Sequence, residues 1–107
     1  MPEKPFVIIE APSNLGLAAP AGGGEPGVHL LPGALRAAGF HGRVSPVWTI
    51  DVPALPWQQA IDPESGVLNA VEVAAYSRAL APSVQAAVRS GFVPVILGGD
   101  CSILLGS

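Results

Sequence analysis

Five consecutive residues near the end of this chain, Gly98-Gly99-Asp100-Cys101-Ser102, bring together two glycines, a carboxylate, the only cysteine and a hydroxyl. They follow the aliphatic run "FVPVIL", so they stand where a strand gives way to the next element. The glycines permit a sharp turn and a close approach of backbone to a ligand or ion. Asp100 and Ser102 are both residue types that cap a helix N-terminus, whose partial positive charge favours an anion placed on it. For Cys101 three chemistries stay open: a thiolate nucleophile, a metal ligand, or a small side chain that packs the corner.

Other motifs fail on spacing. "GGGEPG" lacks the terminal Gly-Lys-Ser/Thr of a phosphate loop, and "GLAAPAG" does not have the spacing of a dinucleotide fold. "GDCSI" ends in isoleucine, which breaks the nucleophile-elbow pattern. A cysteine nucleophile would also need a base, and His29 and His41, the only histidines, lie outside the strand-end loops.

The elements that position this corner read as strand, helix, strand, helix, strand and the start of a further helix. Phe6–Glu10, "FVIIE", is a short apolar run suited to a strand covered on both faces. A helix over Pro32–Ala38 has proline in its first turn and Gly39 as its stop, with Leu31, Leu35 and Ala38 on its buried side. Val44–Val52 is a second strand, weakened by Pro46, and 53–66 is loop. Asn69 opens the longest helix as a cap, with Glu72 as its capping-box partner. Val73, Tyr76, Leu80, Val84 and Val88 keep helical spacing to Ser90, and Pro82 predicts a kink or a break. Phe92–Leu97 is the third strand. This alternation predicts a parallel sheet with right-handed crossovers. Loops leaving the strands' C-terminal ends then share one edge, where ligands bind. "APSNLG", "DVPALP" and "GGDCS" are those loops, and Asn14 is the polar residue of the first that could face a substrate.

The 107 residues suffice for one domain with a core. Half are hydrophobic and 12% charged, with 13 glycines and 12 prolines, the profile of a buried sheet with many turns. A net charge of −3 supplies no basic stripe for phosphates, which argues against a nucleic-acid partner. No apolar run approaches the roughly 18 residues of a membrane helix. "MPEKPFVIIEAP" lacks the order of a secretion signal, and one cysteine makes no internal disulfide, so the cytoplasm is the expected compartment.

"LGGDCSILLGS" resembles the first signature of the arginase, agmatinase and formimidoylglutamase family, the ureohydrolases, whose usual form is Gly-Gly-Asp-His-Ser followed by a helix. "APSNLG" resembles the family's first strand-end loop. "GVHLLPGALRAAGF" is similar to its Gly-Val-Glu-x-Gly-Pro-x-x-Leu-Arg segment, with His29 where glutamate is common and Leu31 where glycine is common. "IDPESGVLNA" and the helix before the third strand also fit, so the resemblance spans the chain.

The resemblance implies a three-layer α/β/α fold with a parallel sheet, of which residues 1–107 would be the N-terminal part of a single arginase-like domain. It implies homo-oligomers, trimers or hexamers, and a metal-dependent hydrolase that cleaves a C–N bond in a small guanidino or amidine substrate. Two manganese ions would bridge the attacking hydroxide, since paired cations lower the pKa of a bridging water. Cys101 stands where the family has a metal-binding histidine, and a thiolate favours softer metals than manganese. Gly98, Gly99, Asp100 and Ser102 would support the loop. The family's Asp-x-His-x-Asp and Asp-x-Asp ligand runs are absent from these residues. The chain alone is therefore expected to be a fragment without activity, and the alternative is a non-catalytic binding or assembly subunit that has lost its complete metal site.

In plainer roles, Cys101 would be a buried corner residue, and Asp100 a helix cap or loop support. His29 and His41 would be solvated, Asn14 a turn residue, and 22–24 a flexible loop. Trp48, Trp57 and Tyr76 would be core or subunit contacts, because no basic residues are interleaved with them.

Overall fold

A computed structural model describes residues 4–107. The reading of the N-terminal stretch as no secretion signal begins in residues 1–3, which lie outside the described ones. The elements run β1 (Phe6–Ala11), a 3-10 turn (Gly27–Leu30), α1 (Leu31–Ala37), α2 (Phe40–Val44), β2 (Trp48–Asp51), α3 (Ala70–Arg89), β3 (Val93–Gly98) and a second 3-10 turn (Cys101–Leu105). The three strands form a parallel sheet in the order β2-β1-β3. Ile9 of β1 lies beside Ile50 of β2 and Ile96 of β3, which fixes the register.

Because side chains alternate along a strand, β1 serves two layers. Val7, Ile9 and Ala11 are fully buried and cluster with Val73, Tyr76, Leu80 and Ala87 of α3. Ile8 and Glu10 face the opposite side. There the Arg36 guanidinium of α1 donates to the Glu10 carboxylate, and His41 Nε2 of α2 lies 3.8 Å from it. The result is three layers: α1 and α2, the sheet, and α3. The α/β/α class with a parallel sheet is as the sequence predicts.

Several boundaries differ. The second strand is only Trp48–Asp51, because 40–44 form a helix that ends on Ser45 in the left-handed region (φ 52°), directly before Pro46. Helix α1 buries Pro32, whereas of the expected face Leu31 and Ala38 are exposed and only Leu35 is half-buried. Helix α3 runs unbroken through Pro82. The bond that Pro82 cannot donate would have gone to the carbonyl of Arg78, and both residues are exposed, where water serves instead. Val88 is exposed and Ala87 takes its place in the core. The expected helix start after β3 is a 3-10 turn.

The connection 53–69 has structure of its own. Ile61 bridges Leu68, Asp62 N donates to the Val67 carbonyl (2.9 Å), and Gly66 supplies a left-handed residue (φ 73°) at the tip.

Candidate functional site

The loops that follow β1, β2 and β3 meet at the C-terminal edge of the sheet. The first is the most enclosed, with Ser13, Asn14 and Leu15 all buried. Gly99 passes so close to it that a Cβ would collide with the Ser13 backbone, and the next amide, Asp100 N, donates to the Ser13 carbonyl (3.0 Å). A glycine is therefore required at 99 for contact between loops. Gly98 faces the Ile103 side chain at the distance of a clash for any larger residue.

Asp100 is buried, and its Oδ2 accepts from two backbone amides: Ser102 N (3.1 Å), which starts the 3-10 turn, and Gly16 N (2.9 Å) across the gap between loops. Its Oδ1 is buried without a partner among the described residues. Cys101 is exposed, which corrects the reading of it as a packed corner residue. Ser102 contributes its amide, and its side chain is half-buried.

The Asn14 side chain turns into its own loop. Its Nδ2 donates to Glu25 Oε1 (2.8 Å) and to the Pro26 carbonyl (2.9 Å). His29 Nδ1 lies 2.9 Å from the same carbonyl and 3.2 Å from Asn14 Nδ2. His29 is thus half-buried and bonded, not the solvated residue expected. His41 is not solvated either: its side chain is 16% exposed, with Nε2 3.8 Å from Glu10 Oε2 and neither ring nitrogen hydrogen-bonded among the described residues.

The sequence reading missed the ties that hold the first loop to the β2–α3 connection. Asn69 does not cap α3. It takes a left-handed conformation (φ 50°, ψ 41°) and its Nδ2 donates to the Leu15 carbonyl (2.9 Å). Trp57 Nε1 donates to Leu17 O (2.9 Å), and Gln59 Oε1 accepts from Ala19 N (2.7 Å). Tyr76 is in the core, where its hydroxyl donates to the Val52 carbonyl (2.7 Å) at the end of β2. Burial first, and then the charges of Asp51 and Asp100, push its phenol well above the ordinary tyrosine range. Tyr76 was legible as a core position from its helical spacing, and Asn69 as a capping residue, although its partner is in fact a distant carbonyl; the hydrogen bonds of Trp57 and Gln59 carried no sequence signal.

Trp48 is 62% exposed and so is no core residue. It lines an apolar groove of about 260 Å³ with Val7, Pro82 and Phe92, at the opposite end of the sheet from the loops above.

Among the described residues, no group of three or more His, Cys, Asp or Glu side chains is gathered to hold a metal ion. The donor set at the β3 corner is one exposed thiol beside a carboxylate already bonded to two amides. These residues do not by themselves fit a two-manganese centre. Among the described residues, no helix is long and apolar enough to cross a membrane.

No protein-family model matches the chain. It is 32% identical over 111 aligned positions to an arginase of Staphylococcus aureus strain COL, covering 97% of this chain and 35% of that protein. The arginase of strain MSSA476 is 31% identical over the same share. Among solved structures, arginase from Bacillus caldovelox superposes with a TM-score of 0.76 at 31% identity, over 97% of this chain and 35% of that one. Arginase from Bacillus subtilis gives 0.67 at 28% identity, over 96% and 33%. The chain thus spans about a third of the length of the relatives it matches.

Proposed function

The chain belongs to the arginase family, and on that premise we propose that it is the N-terminal part of a hydrolase whose full-length form cleaves a C–N bond in a small guanidino or amidine compound. The observation that carries the reading is the agreement of sequence and fold along nearly the whole chain: 31% identity together with a TM-score of 0.76 to one arginase. The loops at the sheet's C-terminal edge, "APSNLG" and "GGDCS", are the parts of that match that could border a site.

In this reading residues 1–107 supply one wall and one corner of the site. Gly98 and Gly99 bring the β3 corner against the Ser13 backbone, and Asp100 fixes the amides of Gly16 and Ser102. Cys101 stands where the family has a metal-binding histidine. Family members carry two metal ions that generate a hydroxide nucleophile when bound. The remaining ligands would come from outside these residues. A thiolate at position 101 suits zinc or copper(I) better than manganese. The complete protein would be a homo-oligomer acting in the cytoplasm.

The second reading, a binding or assembly subunit that has lost its chemistry, draws its support from the exposure of Cys101, taken together with the proposal that this residue occupies the family's histidine position. One experiment separates the two. The full-length protein, loaded with manganese, is assayed for urea or ammonia release from a panel of guanidino and formimino compounds, beside its Cys101→His variant. Turnover by the parent, with a gain in manganese content and rate in the variant, is the expected result. No turnover by either form favours the binding subunit, and no gain in manganese removes position 101 as the limiting ligand.

A further inference from the structure

The Leu15–Gly16 peptide is held from both sides by residues far apart in the chain. Its carbonyl accepts from Asn69 Nδ2 (2.9 Å), and its N–H donates to Asp100 Oδ2 (2.9 Å). A trans peptide points these two groups in opposite directions within its plane, so the side chains grip it from opposite edges. Asn69 approaches from the entry to α3 and Asp100 from the β3 corner. Gly16 leaves no room for a Cβ, because the Asp100 carboxylate stands in that place.

Asn69 bears a cost for its part. It is 2% exposed and left-handed, a conformation that non-glycine residues adopt only where surroundings impose it, asparagine most readily. That backbone turns its amide group toward Leu15 instead of capping the helix that follows it. Beyond Gly16 the ties continue: Leu17 and Ala19 are bonded by Trp57 and Gln59. Residues 15–19 are therefore fixed by contacts from outside the loop.

We propose that Asn69 and Asp100 act as one clamp that positions the loop after β1 as a wall of the substrate site. The inference rests on the hydrolase reading above, and both are positioning residues that need not touch substrate. Because they hold one peptide unit, the loss of either frees it to turn, and losing the second adds little.

The test uses the full-length protein with Asn69→Ala, Asp100→Ala, the double variant and Asp100→Asn, which keeps an acceptor oxygen. KM for the guanidino substrate is expected to rise about tenfold in each alanine variant, the effect of roughly one lost hydrogen bond, with kcat moving far less. The double variant should be no worse than the weaker single one, and Asp100→Asn should restore the parental KM. Independently, hydrogen exchange of the Gly16 amide is expected to quicken about tenfold in Asn69→Ala, although that variant leaves the amide's own acceptor in place. Unchanged Gly16 exchange in Asn69→Ala, or losses that multiply in the double variant, would overturn the clamp. A parent without turnover on any guanidino or formimino compound overturns the hydrolase reading instead. Exchange at Gly16 then judges the clamp alone: a rise supports it and no change refutes it.

Discussion

The two faces of β1 are held to their layers by different physics. Toward α3, Val7, Ile9 and Ala11 meet Val73, Tyr76, Leu80 and Ala87 in a contiguous apolar cluster. Toward α1 and α2, the same strand offers Ile8 and Glu10, and the Glu10 carboxylate, 4% exposed, is held by Arg36 with His41 nearby. The first face is non-directional, and its strength grows with the area removed from water. The second is directional, because a buried carboxylate is tolerated only where charge or hydrogen bonds answer it. The α3 face therefore carries stability, whereas the Glu10 face fixes where two short helices sit over the sheet.

The largest expected effect lies on the apolar face. Leu80 is fully buried in the cluster, so Leu80→Ala removes side-chain contacts and leaves a cavity. Truncations of this kind cost about 2–5 kcal/mol, and urea denaturation should show a lower midpoint with little change in slope. A midpoint within error of the parent would mean that α3 is not what holds the sheet together.

A smaller effect is expected on the polar face. Arg36→Ala withdraws the guanidinium from Glu10 and should destabilise the chain, but by less than Leu80→Ala. The Arg36 side chain is 57% exposed, and water screens its attraction. The Glu10 hydrogen bond and charge together keep that guanidinium above its ordinary pKa, so it stays charged at every pH of a stability measurement. The double change Glu10→Leu with Arg36→Leu should recover most of the loss, since an apolar pair often replaces an ion pair without cost. A double variant less stable than Arg36→Ala would show that the charge itself holds the layer.

The same contrast explains what was legible in the sequence. Strand β1, helix α3 and the parallel order follow from runs and spacing of apolar residues, and the face Val73, Tyr76, Leu80 is found in the core. Glu10 gave no such signal, because a carboxylate ending an apolar strand looks like a boundary until the partner 26 residues away is placed. At the candidate site, the sharp turn at Gly98-Gly99 was readable from composition. The roles of Asn69, Trp57 and Gln59 were not, since each bonds backbone at a sequence separation of 40 or more. Asn69 shows the limit most clearly: the residue type suited to a local cap serves a distant carbonyl. Local patterns report apolar burial, and they do not report which buried polar group answers which.

The smallest expected effect isolates a hydrogen bond from burial altogether. In the 61–68 turn, Asp62 Oδ2 accepts from Ser65 Oγ (2.7 Å) and Ser65 N (2.8 Å), with both bonds exposed to water. The Ser65 hydroxyl first, and its amide second, hold the Asp62 carboxyl below the ordinary aspartate range, because both donate to the ionised form. A depressed carboxylate stabilises the fold above its unfolded pKa, and that contribution is lost as the pH falls through the folded value. The turn should therefore loosen only in acid, below the ordinary aspartate range. Ser65→Ala removes the leading donor, and carboxyl NMR titration should then move Asp62 upward toward its ordinary value while the urea midpoint near neutral pH hardly changes. A midpoint shift as large as that of Leu80→Ala would show that this exposed turn, and not only the two faces of β1, holds the layers in place. An unmoved Asp62 titration would assign its depression to the backbone amide alone.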